Sequence, residues 1–492
     1  MKKKLCLLLA VLTAAASLAA CSEKAADGGE QTPEASGGNA SQVETPVEPE
    51  ETEEEKITAE STLTPQDFGG RDYRMISTNQ DNRQVDIIAE ELTGATLNDL
   101  VYNRNAKVSD LYKVTMKAEQ ADYGSINSMV QKDTKAGDMS YDLYLTNYTA
   151  NSLASSGTLY NFYDLPSVKL DMAWWDQNEK NDLTIAGKLF MAIGDISPTE
   201  LLTSECMLFN KRLFDNRNLD YPYPDALEGT WTLDKCFSIA DGLTEDTNGD
   251  GEIKVEDDLF SLTCWYDYGT ACLYGAGADF SHVDENGIVV LDLNLEQNVN
   301  IYEKLWKLFI DTQANYENSQ HERSCKVFND GRAYFCGITF QKIESFLRDM
   351  EDDYGVLPNP KYDEQQANYS TCVSGAGSMV VVPVSCTDPA FVGAMLEGMA
   401  AISYDMITPD LINVLASTKN VRDEESSQIV QMIIRSRNHD TARNHDIQCD
   451  RFVENMIPKK DSEIASFFAK NEKMWGKQID KLNDAYAKIG QG

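Results

Sequence analysis

The first 21 residues constrain this chain more than any other stretch. Lys2, Lys3 and Lys4 precede an unbroken apolar and small-residue run, Leu5 to Ala20, which ends in L-A-A-C at Cys21. A basic start, a short apolar core and small residues at Ala19 and Ala20 form a secretory signal with a lipoprotein cleavage box. The apolar run is shorter than the ~20 residues that a spanning helix needs. Cleavage would free Cys21 for lipid attachment; the competing reading is an uncleaved membrane anchor. Either way the remainder is expected on the extracytoplasmic face of a cell membrane.

Residues 21–62 are expected to be a disordered tether. They carry twelve acidic residues against Lys24 and Lys56, with almost no large apolar side chain, and such a segment cannot bury a core. Across the whole chain the net charge is −37, which makes nucleic acid and anionic lipid surfaces poor partners. The remaining 430 or so residues exceed one ordinary core and suggest two lobes. Beyond Cys6 and Cys21 nine cysteines remain, an odd number with no C-x-x-C spacing. Buried free thiols are the expectation, not a disulfide framework.

Past the tether, strand and helix patterns alternate. Asp72–Ser77, Tyr112–Met116 and Tyr141–Thr146 read as strands; Val85–Leu92, a segment capped by Asn98 or Asp99, and Ser125–Lys135 read as helices. This is the rhythm of an α/β fold with a mainly parallel sheet, in which ligands gather beyond the carboxyl ends of strands. Thr78, Asn79, Thr146 and Asn147 fall at such ends. Leu189–Ile193, Cys206–Phe209, Ala333–Ile338 and Met379–Val384 read as further strands, and Asn300–Asp311, Phe391–Ile402, Ser427–Ser436 and Ser462–Ile489 as helices.

Three stretches carry candidate chemistry. Trp174-Trp175-Asp176, with Asn178 nearby, would offer a sugar ring a stacking surface with polar groups at its rim; core packing is the alternative. Trp265-Tyr266-Asp267, set among glycines, has the same composition and the same alternative. Asp246 to Asp257 (D-T-N-G-D-G-E-I-K-V-E-D) has the spacing of a calcium loop. Asp246, Asn248 and Asp250 would supply side-chain oxygens, Glu252 a backbone carbonyl, and Asp257 would stand where a bidentate Glu is usual. A bound Ca²⁺ of structural role is expected there; an unoccupied acidic turn is the other reading. No nucleophile elbow, H-E-x-x-H or P-loop is present. A doubled R-N-H-D, at Arg437 and Arg443, has no evident role.

Taken in order, the lipobox, the acidic tether, T-G-A-T-L-N-D-L-V-Y-N-R-N at Thr93, W-W-D at Trp174, L-F-N-K at Leu208, G-T-W-T-L-D at Gly229, D-T-N-G-D-G at Asp246 and Y-G-V-L-P-N-P-K at Tyr354 make a chain that resembles the family 1 extracellular solute-binding lipoproteins. These are the receptor components of ABC-type carbohydrate importers. The resemblance implies a two-lobed α/β fold of the periplasmic-binding-protein type (type II) with crossing hinge strands. It places lobe one at 63–207 plus 338–382 and lobe two at 208–337 plus 383–492. It also implies a non-catalytic monomer that captures a sugar or oligosaccharide between the lobes and hands it to ABC permease subunits. By chemistry and placement, Trp175, Trp265 and Tyr266 would stack on the sugar, and Asn147, Glu205 and Asp267 would take its hydroxyls. A surface-anchored polysaccharide hydrolase and an extracytoplasmic sugar sensor or adhesin are the rival readings.

Overall fold

In the computed structural model, residues 58–489 are described, apart from 318–320, 376, 416, 419–420 and 423; the signal, Cys21 and nearly all of the tether lie outside them. Order begins earlier than expected. The amides of Ala59 and Glu60 donate to Asp405 at 3.1 and 2.8 Å, and Ala59 is buried. Residues 58–62 therefore belong to the folded body and not to the tether.

Among the described residues, nine strands build the two larger sheets: β1 (Arg71–Thr78), β2 (Val114–Ala121), β3 (Leu143–Thr146), β4 (Glu205–Asn210), β5 (Phe260–Trp265), β6 (Asn315–Glu317), β7 (Ala333–Thr339), β8 (Tyr354–Leu357) and β9 (Met379–Val381). The first sheet has the order β9-β3-β1-β2 and the second β8-β4-β7-β5-β6. In the first, β1 runs parallel to both β2 and β3, while β9 joins β3 antiparallel. In the second, β5 is parallel to β6 and β7, and β4 is antiparallel to β7 and β8. This is the mixed α/β architecture anticipated from the alternating patterns. Two assignments differ: β8, expected in lobe one, pairs with β4 in the second sheet, and the helix Pro389–Met406, expected in lobe two, packs against the first, its Phe391 on Tyr73 of β1.

Both sheets are covered by helices. Thr96–Tyr112 and Pro389–Met406 pack together on the first; Gly398 lets them close, because a Cβ there would lie 2.4 Å from a ring carbon of Tyr112. No single described helix is long and apolar enough to cross a membrane. The terminal helix Ile464–Lys488 buries Ile464, Phe468, Trp475, Ile479, Leu482 and Tyr486, the stripe its periodicity predicts. All nine cysteines are free and, save the half-buried Cys386, buried.

Two expected elements do not form. Val85–Leu92 is not a helix: a 3₁₀ turn, Gln80–Asp86, ends where it should begin. The carbonyls of Asp86 and Ile87 instead accept from the buried side chains of Arg104 and Asn105, at 2.5 and 3.0 Å. The Asp86 carboxyl takes Ser197 and Thr199 at 2.5–2.8 Å, so tertiary partners replace the helical ladder. Leu189–Ile193 likewise is not a sheet strand; it touches β9 through one two-way bridge, Ala192 with Val380.

Candidate functional site

The carboxyl ends of parallel strands from both sheets open on one cavity of about 390 Å³. Gln80 follows β1, Tyr123 follows β2 and Tyr148 follows β3; from the second sheet come Trp265, which ends β5, Tyr266 and Asp267, which follow it, and His321, beyond β6. At and just past the strand ends the chain leaves the sheet, which turns these side chains towards the cavity, the usual ligand position in such folds. An adjoining recess of about 180 Å³ shares Gln80, Trp265, Asp267, His321 and Ser374 with this cavity and adds Glu205, Thr339, Gln341 and Lys342.

Trp265 lies against His321, ring centroids 3.9 Å apart and planes 26° from parallel, with Tyr266 at 4.9 Å. Its remaining surface lines both spaces. Behind it β7 comes close to Tyr268: a Cβ on Gly337 would lie 2.1 Å from Tyr268 Cδ1. Only glycine therefore lets the tyrosine, which donates to Asn359 at 2.8 Å, form the floor of the recess. Asp267 sits at the N-terminal end of the helix Tyr268–Gly275. Burial pushes its carboxyl up to about 6. Burial, with the neighbouring Asp267, also raises Glu205 well above the usual carboxylate range. Glu454, donated to by Thr270 at 3.0 Å, is pushed up to about 7 by burial.

The other wall is the segment that holds the doubled R-N-H-D. Asn438, His439, Arg443 and Asn444, then Arg451 and Glu454, all line the cavity. Arg437 anchors this wall, with its guanidinium on Glu200 and, at 2.6 Å, on Asp176. Asp176 caps the helix Gln177–Leu183 through the amides of Asn178 and Glu179, at 2.9 and 3.1 Å, and lies 3.3 Å from His439 Nε2. Burial opposes its charge, yet Arg437 and His439 hold it well below the usual carboxylate range. His439 is raised in turn by Asp176 against the effect of burial. Nearby Asp195 is pushed up to about 7 by burial.

Four of the six expected ligand contacts line these spaces: Glu205, Trp265, Tyr266 and Asp267. Two do not. Trp175 is 2% exposed, packs edge-on against Phe162 and donates from Nε1 to Glu397 at 3.0 Å, so it is core. Asn147 is buried, and its Oδ1 caps the next turn by accepting from the amide and hydroxyl of Thr149. Thr146 donates to Asn127, and Asn79 to Asp122. The cavity is reached one or two residues later, by Gln80 and Tyr148. Sequence reading missed these two, Tyr123, His321 and the C-terminal wall; only the repeat R-N-H-D could have flagged the last.

In the acidic loop, Asp246 accepts the amides of Gly249 and Gly251 at 2.7 Å each, and Asn248 that of Asp250 at 2.9 Å. Positive φ at both glycines, 72° and 85°, permits the curl. Lys254 Nζ stands 2.7 Å from Asp250 and 2.8 Å from Glu252. The carboxylate drawn into the loop is Asp258, bonded to the amides of Thr247 and Lys254, one position beyond Asp257. Among the described residues no group of three or more His, Cys, Asp or Glu side chains is disposed to hold a metal ion. A cation on Asp250 would have to take the place of the Lys254 ammonium.

No protein-family model matches the chain, and no curated protein matches it in sequence. Solved structures do match its fold. A cyclo/maltodextrin-binding protein complexed with maltotetraose is 13% identical over 86% of this chain and 99% of that one, with a TM-score of 0.54. The GacH receptor of Streptomyces glaucescens is 15% identical, covers 85% and 98%, and has a TM-score of 0.51. An ABC substrate-binding protein from Listeria monocytogenes in complex with cycloalternan is 13% identical, covers 86% and 99%, and has a TM-score of 0.51. The fold is that of the two-lobed solute-binding proteins.

Proposed function

We propose that this chain is a non-catalytic receptor that captures a sugar or oligosaccharide and delivers it to the permease of an ABC importer. One observation carries the reading. Parallel strands of two separate sheets end at one cavity whose wall pairs Trp265 and Tyr266 with acids and amides, and flat rings beside hydroxyl acceptors suit a pyranose. Structures of the same fold hold maltotetraose and cycloalternan, which supports a saccharide as ligand here. A lobe around each sheet would close on it by hinge motion. We further propose that Cys21 carries the lipid that anchors the receptor as a monomer at the extracytoplasmic face. The Asp246 loop would bind Ca²⁺ through Asp246, Asn248, Asp250 and the Glu252 carbonyl, once Lys254 is displaced; its role would be structural.

A glycan panel read by thermal shift, with and without EDTA, tests both parts. A saccharide should raise the unfolding temperature and be recovered intact, whereas a hydrolase would return shortened products. EDTA should lower the unfolding temperature of the calcium-loaded protein; an unchanged value would leave the loop an acidic turn held by Lys254.

A further inference from the structure

Glu205 is an anomaly in the recess beside the main cavity. It is 6% exposed and lines that recess, yet among the described residues its carboxyl has no hydrogen-bond or ion-pair partner. Asp267, the acid nearest to it in effect, lines both spaces and has no cationic partner either. The cations around the two spaces are committed elsewhere. Arg443 is 2.5 Å from Asp450, Arg451 lies 3.6 Å from Asp446 and His439 is on Asp176; Arg443 and Lys342, which lines the recess, act on the two acids only at longer range, with no ion pair to either among the described residues. Two acids with no direct ion pair, one buried and one half-buried, are costly to seal away from water, and a neutral ligand that closes the recess would do that. An ammonium relieves it: it carries three donors, cancels the like-charge repulsion, and can lie on the open surface of Trp265.

We propose that the recess takes the protonated amine of an amino sugar, with Glu205 and Asp267 as its carboxyl partners and the indole of Trp265 beside it. The ligand class is thus a saccharide with at least one free amino group, its other rings reaching into the larger cavity past Tyr266 and Arg451. This rests on the saccharide-receptor reading.

The test is calorimetric titration of the full-length chain with glucosamine oligomers, with the same oligomers N-acetylated, and with neutral gluco-oligosaccharides. Glucosamine oligomers should bind about tenfold or more tighter than the acetylated ones, as expected for a desolvated charge pair. In Glu205→Gln the ratio of the two affinities should fall towards one, and Asp267→Asn, checked for folding by its unfolding temperature, should reduce it as well. Equal or tighter binding of acetylated or neutral oligomers overturns the amine assignment while leaving the sugar receptor standing. So does a ratio unchanged in both variants. Binding of no saccharide at all overturns both.

Discussion

Two tryptophans of similar sequence context should respond in opposite ways to the same truncation. Trp175→Ala removes a buried indole packed on Phe162 and on the backbone of Gly194, where a Cβ would lie 2.8 Å from the ring. It also removes one donor to Glu397, an acid that is 2% exposed. The lost side chain costs about 3–5 kcal/mol and the abandoned hydrogen bond about 1–3 kcal/mol. With an unfolding entropy of ~2.1 cal/mol/K per residue, a body of this size should lose roughly 5–8 °C in Tm. Trp265→Ala should cost about 1 kcal/mol or less, since the indole is only partly buried, but should remove the stacking surface for the ligand. That contact is worth about 1.5–3 kcal/mol, a loss of roughly ten- to hundredfold in affinity. Differential scanning calorimetry and ligand titration on both variants decide it. A stable Trp175→Ala that binds poorly, or a Trp265→Ala that melts early and binds normally, would refute the separation of core from cavity.

Acidity should stabilise the fold. Asp195 and Glu454 near 7, with Asp182 and Asp267 near 6, keep protons that the unfolded chain releases above about 4. Their contribution therefore falls as pH rises from about 4 to 7. Charged His439, raised by Asp176, loses its stabilising effect in the same direction, while depressed Asp176 loses its own only as pH drops below about 4. The Tm should peak near pH 5 and drop by several degrees by pH 8; a rise across that interval would contradict the buried-acid picture. Gly337→Ala should push Tyr268 off Asn359, costing about 1–3 kcal/mol and weakening any ligand that enters the recess. Unaltered stability and affinity would show that the strand and ring can separate freely.

Strands were readable where their apolar runs were continuous, as in β4, β7 and β9, because buried strands need no alternation. The loop Trp265-Tyr266-Asp267 was readable too, since aromatics beside an acid have few other uses at the end of a strand. What failed was decided by partners far along the chain. Val85–Leu92 has helical spacing, but Arg104 and Asn105 claim its carbonyls. Trp175 carries the same local signature as Trp265, but it packs on Phe162 and donates to Glu397, 222 residues later, and these make it core. Asn147 sits where a ligand group belongs, yet its own backbone two residues on consumes it. Of the C-terminal wall only the doubled R-N-H-D stood out, without a role, because Arg451 and Glu454 look like ordinary surface charges until the chain returns to the site.

That late return also governs how the molecule can be made. The edge of the first sheet, β9, and the helix Pro389–Met406 that covers it come from residues some 230 or more beyond β3. A nascent chain stopped before Met406 would carry β1 and β3 with their apolar face bare. Assembly of this half must therefore wait for loop closure over most of the polypeptide, which predicts slow, late acquisition of protease resistance. Fragments cut short of that helix should precipitate and not fold.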